Sequence, residues 1–149
     1  MKFAALLGKK LKDDDVIEVL ETHDMTVVYE FDRTHENMND LYWSDSKPDG
    51  FQFGFDKDQV LYVVFLYITA SEGFEPIDAS TLDFPIYGTF DEAKNSFEAD
   101  GISYSQSSGE SGSSMYKWWI KGDFGSFTRH YQYQDGSLFR VTLSRKVSA

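Results

Sequence analysis

The 149-residue chain contains no cysteine. Disulfides and thiolate metal sites are therefore excluded, and the composition fits a reducing compartment. No apolar run approaches the roughly 20 residues of a membrane-spanning helix. The opening MKFAALLGKK imitates a signal peptide in outline, but two lysines follow its apolar stretch at once. That stretch, residues 3–7, falls short of the roughly 7–15 residues of an h-region. The expectation is a soluble, cytoplasmic protein, with a mature chain whose leader has been removed as the alternative. Bases are scarce too. From Asp13 to Asp100 there are 22 acids against 4 bases (Arg33, Lys47, Lys57 and Lys94), and the whole chain has a formal charge of −11. Bare nucleic acid and an anionic membrane surface would both be repelled by such a chain.

The acids are interleaved with Phe, Tyr, Trp, Val and Leu rather than gathered in a tail. With 41% hydrophobic and 17% aromatic residues, the chain has the composition of a folded domain rather than a disordered one. Its length suits a single domain, residues 1–149, able to bury a sizeable core. The last 49 residues reverse the sign, with 3 acids and 6 bases. A folded acidic surface of this kind suits a positively charged partner.

Motifs for chemistry are missing. His23, His35 and His130 have no helical i, i+4 pairing, so no metal site is expected. Gly109-Glu110-Ser111-Gly112 lacks the G-x-S-x-G spacing of a nucleophile elbow, and Asp123-Phe124-Gly125 stands without the other kinase motifs. Carboxylates are abundant, but no pair stands out for acid–base work. No catalytic residue, metal or cofactor is assigned, and the chain is not read as an enzyme.

Periodicity yields an order of elements. Residues 13–21 place Val16, Val19 and Leu20 on one helical face behind an aspartate cap. Residues 25–31 read as a strand, 32–40 as a polar loop, and Leu41, Tyr42 and Trp43 resume an apolar element. Alternating Phe51, Phe53 and Phe55, a turn at 56–59 and the two-sided apolar run 60–69 form a hairpin whose second strand is central. An acidic connector follows at 70–85. A second helix spans 90–99 and closes on Gly101. Residues 102–105 form a short strand, 106–114 a Ser/Gly loop and 115–121 an aromatic strand. The runs 127–133 and 138–143 make a hairpin around Asp135-Gly136.

The second half repeats the order of the first. The helices match at an offset of 77 and the hairpins at 78, with Phe53, Phe55, Val60, Val63 and Phe65 set against Tyr131, Tyr133, Leu138, Val141 and Leu143. The identities are few, so duplication and chance similarity both stay open. The expected fold is α+β: two helices packed on a twisted antiparallel sheet, in tandem helix-plus-hairpin half-repeats at 1–69 and 84–149 with an acidic connector at 70–83.

The Asp13-Asp14-Asp15 run is explained by helix capping and the dipole. Acids outside the helices leave both solubility and partner contact open: Glu30, Asp32, Glu36 and Asp40 in the first half, and Glu72, Glu75, Asp78 and Asp83 in the connector. Trp118 and Trp119 are consecutive in a strand and point to opposite faces. The partner-binding candidates are Glu36, Asp40, Tyr42, Glu72, Phe74, Glu75 and Asp78.

Several short motifs resemble small bacterial toxin-neutralising immunity proteins, of the polymorphic-toxin or contact-dependent-inhibition type. They are Leu7-Gly8-Lys9-Lys10-Leu11 with Asp14, Val19 and Leu20, then Gly50-Phe51, Phe55-Asp56-Lys57-Asp58-Gln59-Val60 and Val64-Phe65-Leu66-Tyr67. Gly73-Phe74, Leu82 before Phe84-Pro85, Tyr131 and Asp135-Gly136 complete the set. The doubled order is also similar to the tandem halves of β-lactamase inhibitory protein, although the second helix closes on Glu98-Ala99-Asp100-Gly101 without the Leu-Gly and proline often found there. The resemblance implies a protein inhibitor that binds a basic toxin domain by occlusion and charge complementarity. A secretion chaperone and a small-molecule-binding α+β domain are the alternatives, and the oligomeric state is left open.

Overall fold

The computed structural model describes residues 1–30, 41–107 and 117–146. Two helices form where the apolar spacing predicts them. Helix α1, Asp14–Thr22, buries Val16 and turns Val19 and Leu20 toward the core. Asp14 and Asp15 lie in its first turn, where negative charge suits the helix dipole, and Asp15 is ion-paired with Lys9. Asp13 holds the cap position, but its carboxylate accepts from the Lys10 N–H at 2.8 Å and makes no bond to the first turn. Helix α2, Phe90–Ala99, is capped by Thr89, whose hydroxyl accepts from the Glu92 N–H at 3.3 Å. Its end is closed by Gly101 in the left-handed region at φ +69°. The Ile102 N–H then donates to the Phe97 carbonyl at 2.9 Å.

Eight strands follow in one antiparallel sheet: β1 Val27–Glu30, β2 Leu41–Ser46, β3 Phe51–Phe55, β4 Leu61–Tyr67, β5 Tyr104–Gln106, β6 Lys117–Asp123, β7 Phe127–Gln134 and β8 Ser137–Arg145. Their order across the sheet is β1-β2-β3-β4-β8-β7-β6-β5, so β4 and β8 are central. The fold is α+β. The expected polar loop at 32–40 and most of the Ser/Gly loop at 106–114 lie outside the described residues. The acidic connector is not all loop, since Ala79–Thr81 forms a 3₁₀ turn that the Asp78 carboxylate caps through the Ser80 N–H at 3.1 Å.

Period-two alternation divides the sheet into two faces. One carries Phe51, Phe53, Phe55, Leu61, Val64 and Leu66 from the first half, and Ile120, Tyr131, Tyr133, Leu138, Val141 and Leu143 from the second. This face packs on α1, α2 and the N-terminal Phe3 and Leu6 to make the core.

The register shows how the halves correspond. Each runs helix, then four strands. The first hairpin shifts register between Gly54 and Phe55, and the second between Gln132 and Tyr133, 78 residues on. Each shift leaves one residue unpaired, Tyr62 and Phe139, which are 77 apart. The second turn is one residue shorter, so the core positions Leu61, Val64 and Leu66 correspond to Leu138, Val141 and Leu143 at 77. The alignment of Val63 and Phe65 with Val141 and Leu143 is thereby corrected: the first pair lies on the opposite face. The β4–β8 ladder runs from Val63↔Ser144 to Tyr67↔Arg140, with Phe65↔Thr142 at its centre. Those two residues are also 77 apart, so the local two-fold of the ladder relates one half to the other.

The end of the connector is fastened to β7. The buried Tyr131 hydroxyl donates to the Pro85 carbonyl at 2.8 Å, and the Tyr133 hydroxyl to that of Tyr87 at 2.9 Å. Burial raises the pKa of both phenols, which therefore stay protonated donors. Beside them the Arg129 guanidinium lies 4.6 Å from the Phe84 ring centre and 4.2 Å from that of Phe124. Tyr131→Phe is expected to cost about 1–3 kcal/mol, because the Pro85 carbonyl loses its buried donor. Phe53→Ala, which opens a cavity in the core, is expected to cost about 3–5 kcal/mol. Urea unfolding measures both.

Candidate functional site

Among the described residues both helices lie on one face of the sheet, and the other face is left to the strands and the connector. Its residues are set by the pairing register. Val28 of β1 sits opposite Trp43 of β2, which sits opposite Gly54 of β3, and Gly54 opposite Val63 of β4. The next row along holds Asp45, Gln52, Phe65 and Thr142. The expectation that the second hairpin strand is apolar on both faces is met here: Val63, Phe65 and Tyr67 point away from the core that Leu61, Val64 and Leu66 enter.

This open face is hollowed into a cleft of about 690 Å³, lined by Asp24, Thr26, Val28, Glu30, Trp43, Asp45, Gln52, Phe65, Tyr67, Glu72 and Arg140. Its floor is aromatic, with the Trp43 and Phe65 rings stacked at 6.3 Å and 27°. A Cβ on Gly54 would lie 2.8 Å from the Trp43 ring and 2.6 Å from a Val63 methyl. The absent side chain is what lets the indole lie across β3. Among the described residues four carboxylates line the walls, those of Asp24, Glu30, Asp45 and Glu72, against one cation, Arg140. Asp45 accepts from the Gln52 side-chain amide at 2.7 Å. Arg140 donates from Nε to the Gln132 side-chain oxygen at 2.8 Å, and its guanidinium lies 5.3 Å from the Phe65 ring centre. Desolvation, with Glu72 nearby, raises the Tyr67 pKa, so its hydroxyl stays neutral.

The residues expected to bind a partner are scattered by the fold. Glu72 lines the cleft. Glu75 is exposed on the connector, where its N–H donates to the Lys47 carbonyl at 2.8 Å. Asp78 is also exposed, but its carboxylate is engaged by the Ser80 N–H and hydroxyl, which lower its pKa. Phe74 is 4% exposed and stacks on Tyr67 at 4.1 Å, so it is a buried packing residue rather than a surface anchor. Tyr42 lies on the helix side of the sheet against Tyr29, 4.9 Å between rings, away from the cleft. Glu36 and Asp40 lie outside the described residues. Sequence reasoning did not single out Asp45, Phe65 and Arg140, which line the cleft. Their signal was strand parity: Tyr42 was chosen, and its neighbour Trp43 necessarily faces the other way.

The second half carries its own aromatic position on this face. Trp118 packs toward the core against Phe90 at 5.0 Å, whereas Trp119 is opposite Gln132 and meets His130 edge-on at 5.2 Å. Desolvation, with Lys121 and Arg140 nearby, lowers the His130 pKa to about 4.

No family model, curated protein or solved structure matches this chain. Among the described residues no helix is long and apolar enough to cross a membrane, and no group of three or more His, Asp or Glu side chains could hold a metal ion. The site is therefore read from its geometry.

Two outcomes follow from that geometry. Gly54→Ala forces the indole or the Val63 side chain to move, an overpacking expected to cost about 1–3 kcal/mol and to change the Trp43 emission. His130 has a folded pKa of about 4, below its ordinary 6.5, so the unfolded chain binds its proton first. Stability from this group is complete above pH 6.5 and is lost as pH falls toward 4. His130→Gln is expected to flatten that part of a stability-versus-pH curve.

Proposed function

We propose that this chain is a non-enzymatic, acidic protein-binding inhibitor that receives a basic protein on the open face of its sheet. In the reading we favour it is a cytoplasmic immunity protein that neutralises a bacterial toxin domain. The observation that carries the proposal is the cleft: an aromatic floor of Trp43 and Phe65 walled by four carboxylates, on a sheet face that neither helix covers. Aromatic side chains held by their neighbours make effective anchors, since little conformational freedom is lost on binding. Carboxylates around them steer a basic partner and oppose acidic ones. A cationic side chain entering the cleft would meet ring faces and carboxylates together.

The size of the surface is consistent with such a partner. Eight strands spaced by about 4.8 Å span roughly 34 Å, and five-residue strands run about 17 Å. With its rim, that area is comparable to the roughly 800 Å² per partner of a stable protein interface. Toxins that cut nucleic acid bind polyanions on basic surfaces, and an acidic inhibitor occluding such a surface needs no chemistry of its own. The motif resemblance to immunity proteins agrees with this reading. The small-molecule alternative calls for a closed apolar cavity, and the cleft is open and walled by charge.

The test is binding to the partner recovered with the wild-type chain from its native host, followed by co-expression of that partner with the inhibitor. Asp45→Lys with Glu72→Lys is expected to slow association at least tenfold while leaving the melting temperature within a few degrees. Raising salt from 0.05 to 0.5 M is expected to slow wild-type association with little change in dissociation. Co-expression is expected to relieve the growth defect that the partner causes alone. An association rate indifferent to both salt and the double reversal would contradict the proposal, and so would an acidic partner.

A further inference from the structure

We propose that the second half of the open face, around Trp119, receives a carboxylate side chain of the same partner, so that the face reads opposite charges at its two ends. The inference rests on the protein-binding reading above and adds a second pole to it.

The pseudo-two-fold makes the argument position by position. Gly54 and Gln132 are equivalent at the two register shifts, and they pair with Trp43 and Trp119 respectively. Two residues along each strand, Asp45 of β2 therefore corresponds to Lys121 of β6, and Gln52 of β3 to His130 of β7. Across the central ladder, Val63 corresponds to Arg140 and Phe65 to Thr142. Both halves thus keep a tryptophan at the same place on the open face. Around the first stand Asp45 and Phe65; around the second stand Lys121, His130, Arg140 and Thr142. Every change of charge between the two sets is toward positive.

Arg140 stands between this patch and the acidic cleft, which it also lines, whereas Lys121 does not line the cleft. Among the described residues neither Lys121 nor Arg140 has a carboxylate within ion-pair distance. Asp123, further along β6 on the same face, is engaged by the Lys146 ammonium at 2.7 Å and the Gly125 N–H at 2.9 Å. The Nε2 of His130 is buried and has no hydrogen-bond partner, which is costly unless something supplies one. The charged groups facing His130 are Lys121 from β6 and Arg140 from β8, both cationic. An arriving carboxylate would be held by Lys121 and Arg140 and would offset their repulsion of a proton on His130, which adds to the larger effect of desolvation. Its hydrocarbon stem would lie against the Trp119 ring.

The test uses the full chain labelled with nitrogen-15, following the indole N–H signals of Trp43 and Trp119 and the ring signals of His130. The probes are N-acetyl-glutamate amide and N-acetyl-arginine amide, each against sodium chloride at matched ionic strength. The glutamate probe is expected to shift Trp119 and His130 saturably, leave Trp43 unmoved, and raise the His130 pKa by roughly one unit or more. Lys121→Glu, at an exposed position, is expected to abolish these shifts, with Lys121→Gln as the milder variant should the reversal disturb folding. Trp119 and His130 unmoved by the probe, moved equally by chloride, or moved undiminished in both variants would overturn the inference. The arginine probe at Trp43 reports separately on the acidic cleft, so failure of one pole is distinguishable from failure of the other.

Discussion

The β4–β8 ladder joins two four-stranded halves edge to edge, and the rest of the molecule follows from that join. Each half alone would expose a central strand with unpaired N–H and carbonyl groups, a template for unwanted pairing. Pairing Val63 through Tyr67 with Ser144 through Arg140 removes both edges at once. It also fixes parity: with Val64, Leu66, Val141 and Leu143 committed to the helix side, Phe65, Tyr67, Arg140 and Thr142 are committed to the other. The open face is a consequence of how the core is built.

Once both helices lie on one side, the sheet faces do different work. The helix side is aromatic and aliphatic, with its few polar atoms used for fastening, as in the Tyr131 and Tyr133 hydroxyls that hold the connector. The open side mixes rings with charge: carboxylates on β1, β2 and the connector, cations on β6 and β8, with Arg140 lining the acidic cleft and Asp123 of β6 paired with Lys146. The sign reversal between the body of the sequence and its last 49 residues therefore becomes a spatial polarity across one surface. A face with the two poles proposed above would admit a partner in one orientation only, because the reversed orientation sets like charges against each other.

Much of the fold is legible in the sequence because its signals are local. The helix spacing of Val16, Val19 and Leu20, the Phe51-Phe53-Phe55 alternation, the Asp135-Gly136 turn and the Gly101 terminator each depend on a few neighbouring residues. The site is less legible because it is assembled across strands far apart in the chain. Trp43, Phe65 and Arg140 become neighbours only when the ladder registers are known, and those depend on bulges at Gly54/Phe55 and Gln132/Tyr133 that no turn signal announces. Phe74 was chosen as a loop aromatic, yet it stacks on Tyr67, a contact set by the path of the connector. Asp78 was chosen as a loop acid, yet local capping of Ser80 accounts for it. Acid content pointed to the first half, where the cleft lies, and strand parity decides which of its side chains line that cleft.

The central claim is that a partner covers the uncovered face of the sheet. Acrylamide quenching of tryptophan emission in a Trp118→Phe variant tests it most directly, because Trp43 and Trp119 are then the only reporters and both lie on that face. The account predicts that quenching falls sharply when the partner is bound. Quenching that is unchanged in a demonstrably formed complex would place the interface elsewhere and contradict it.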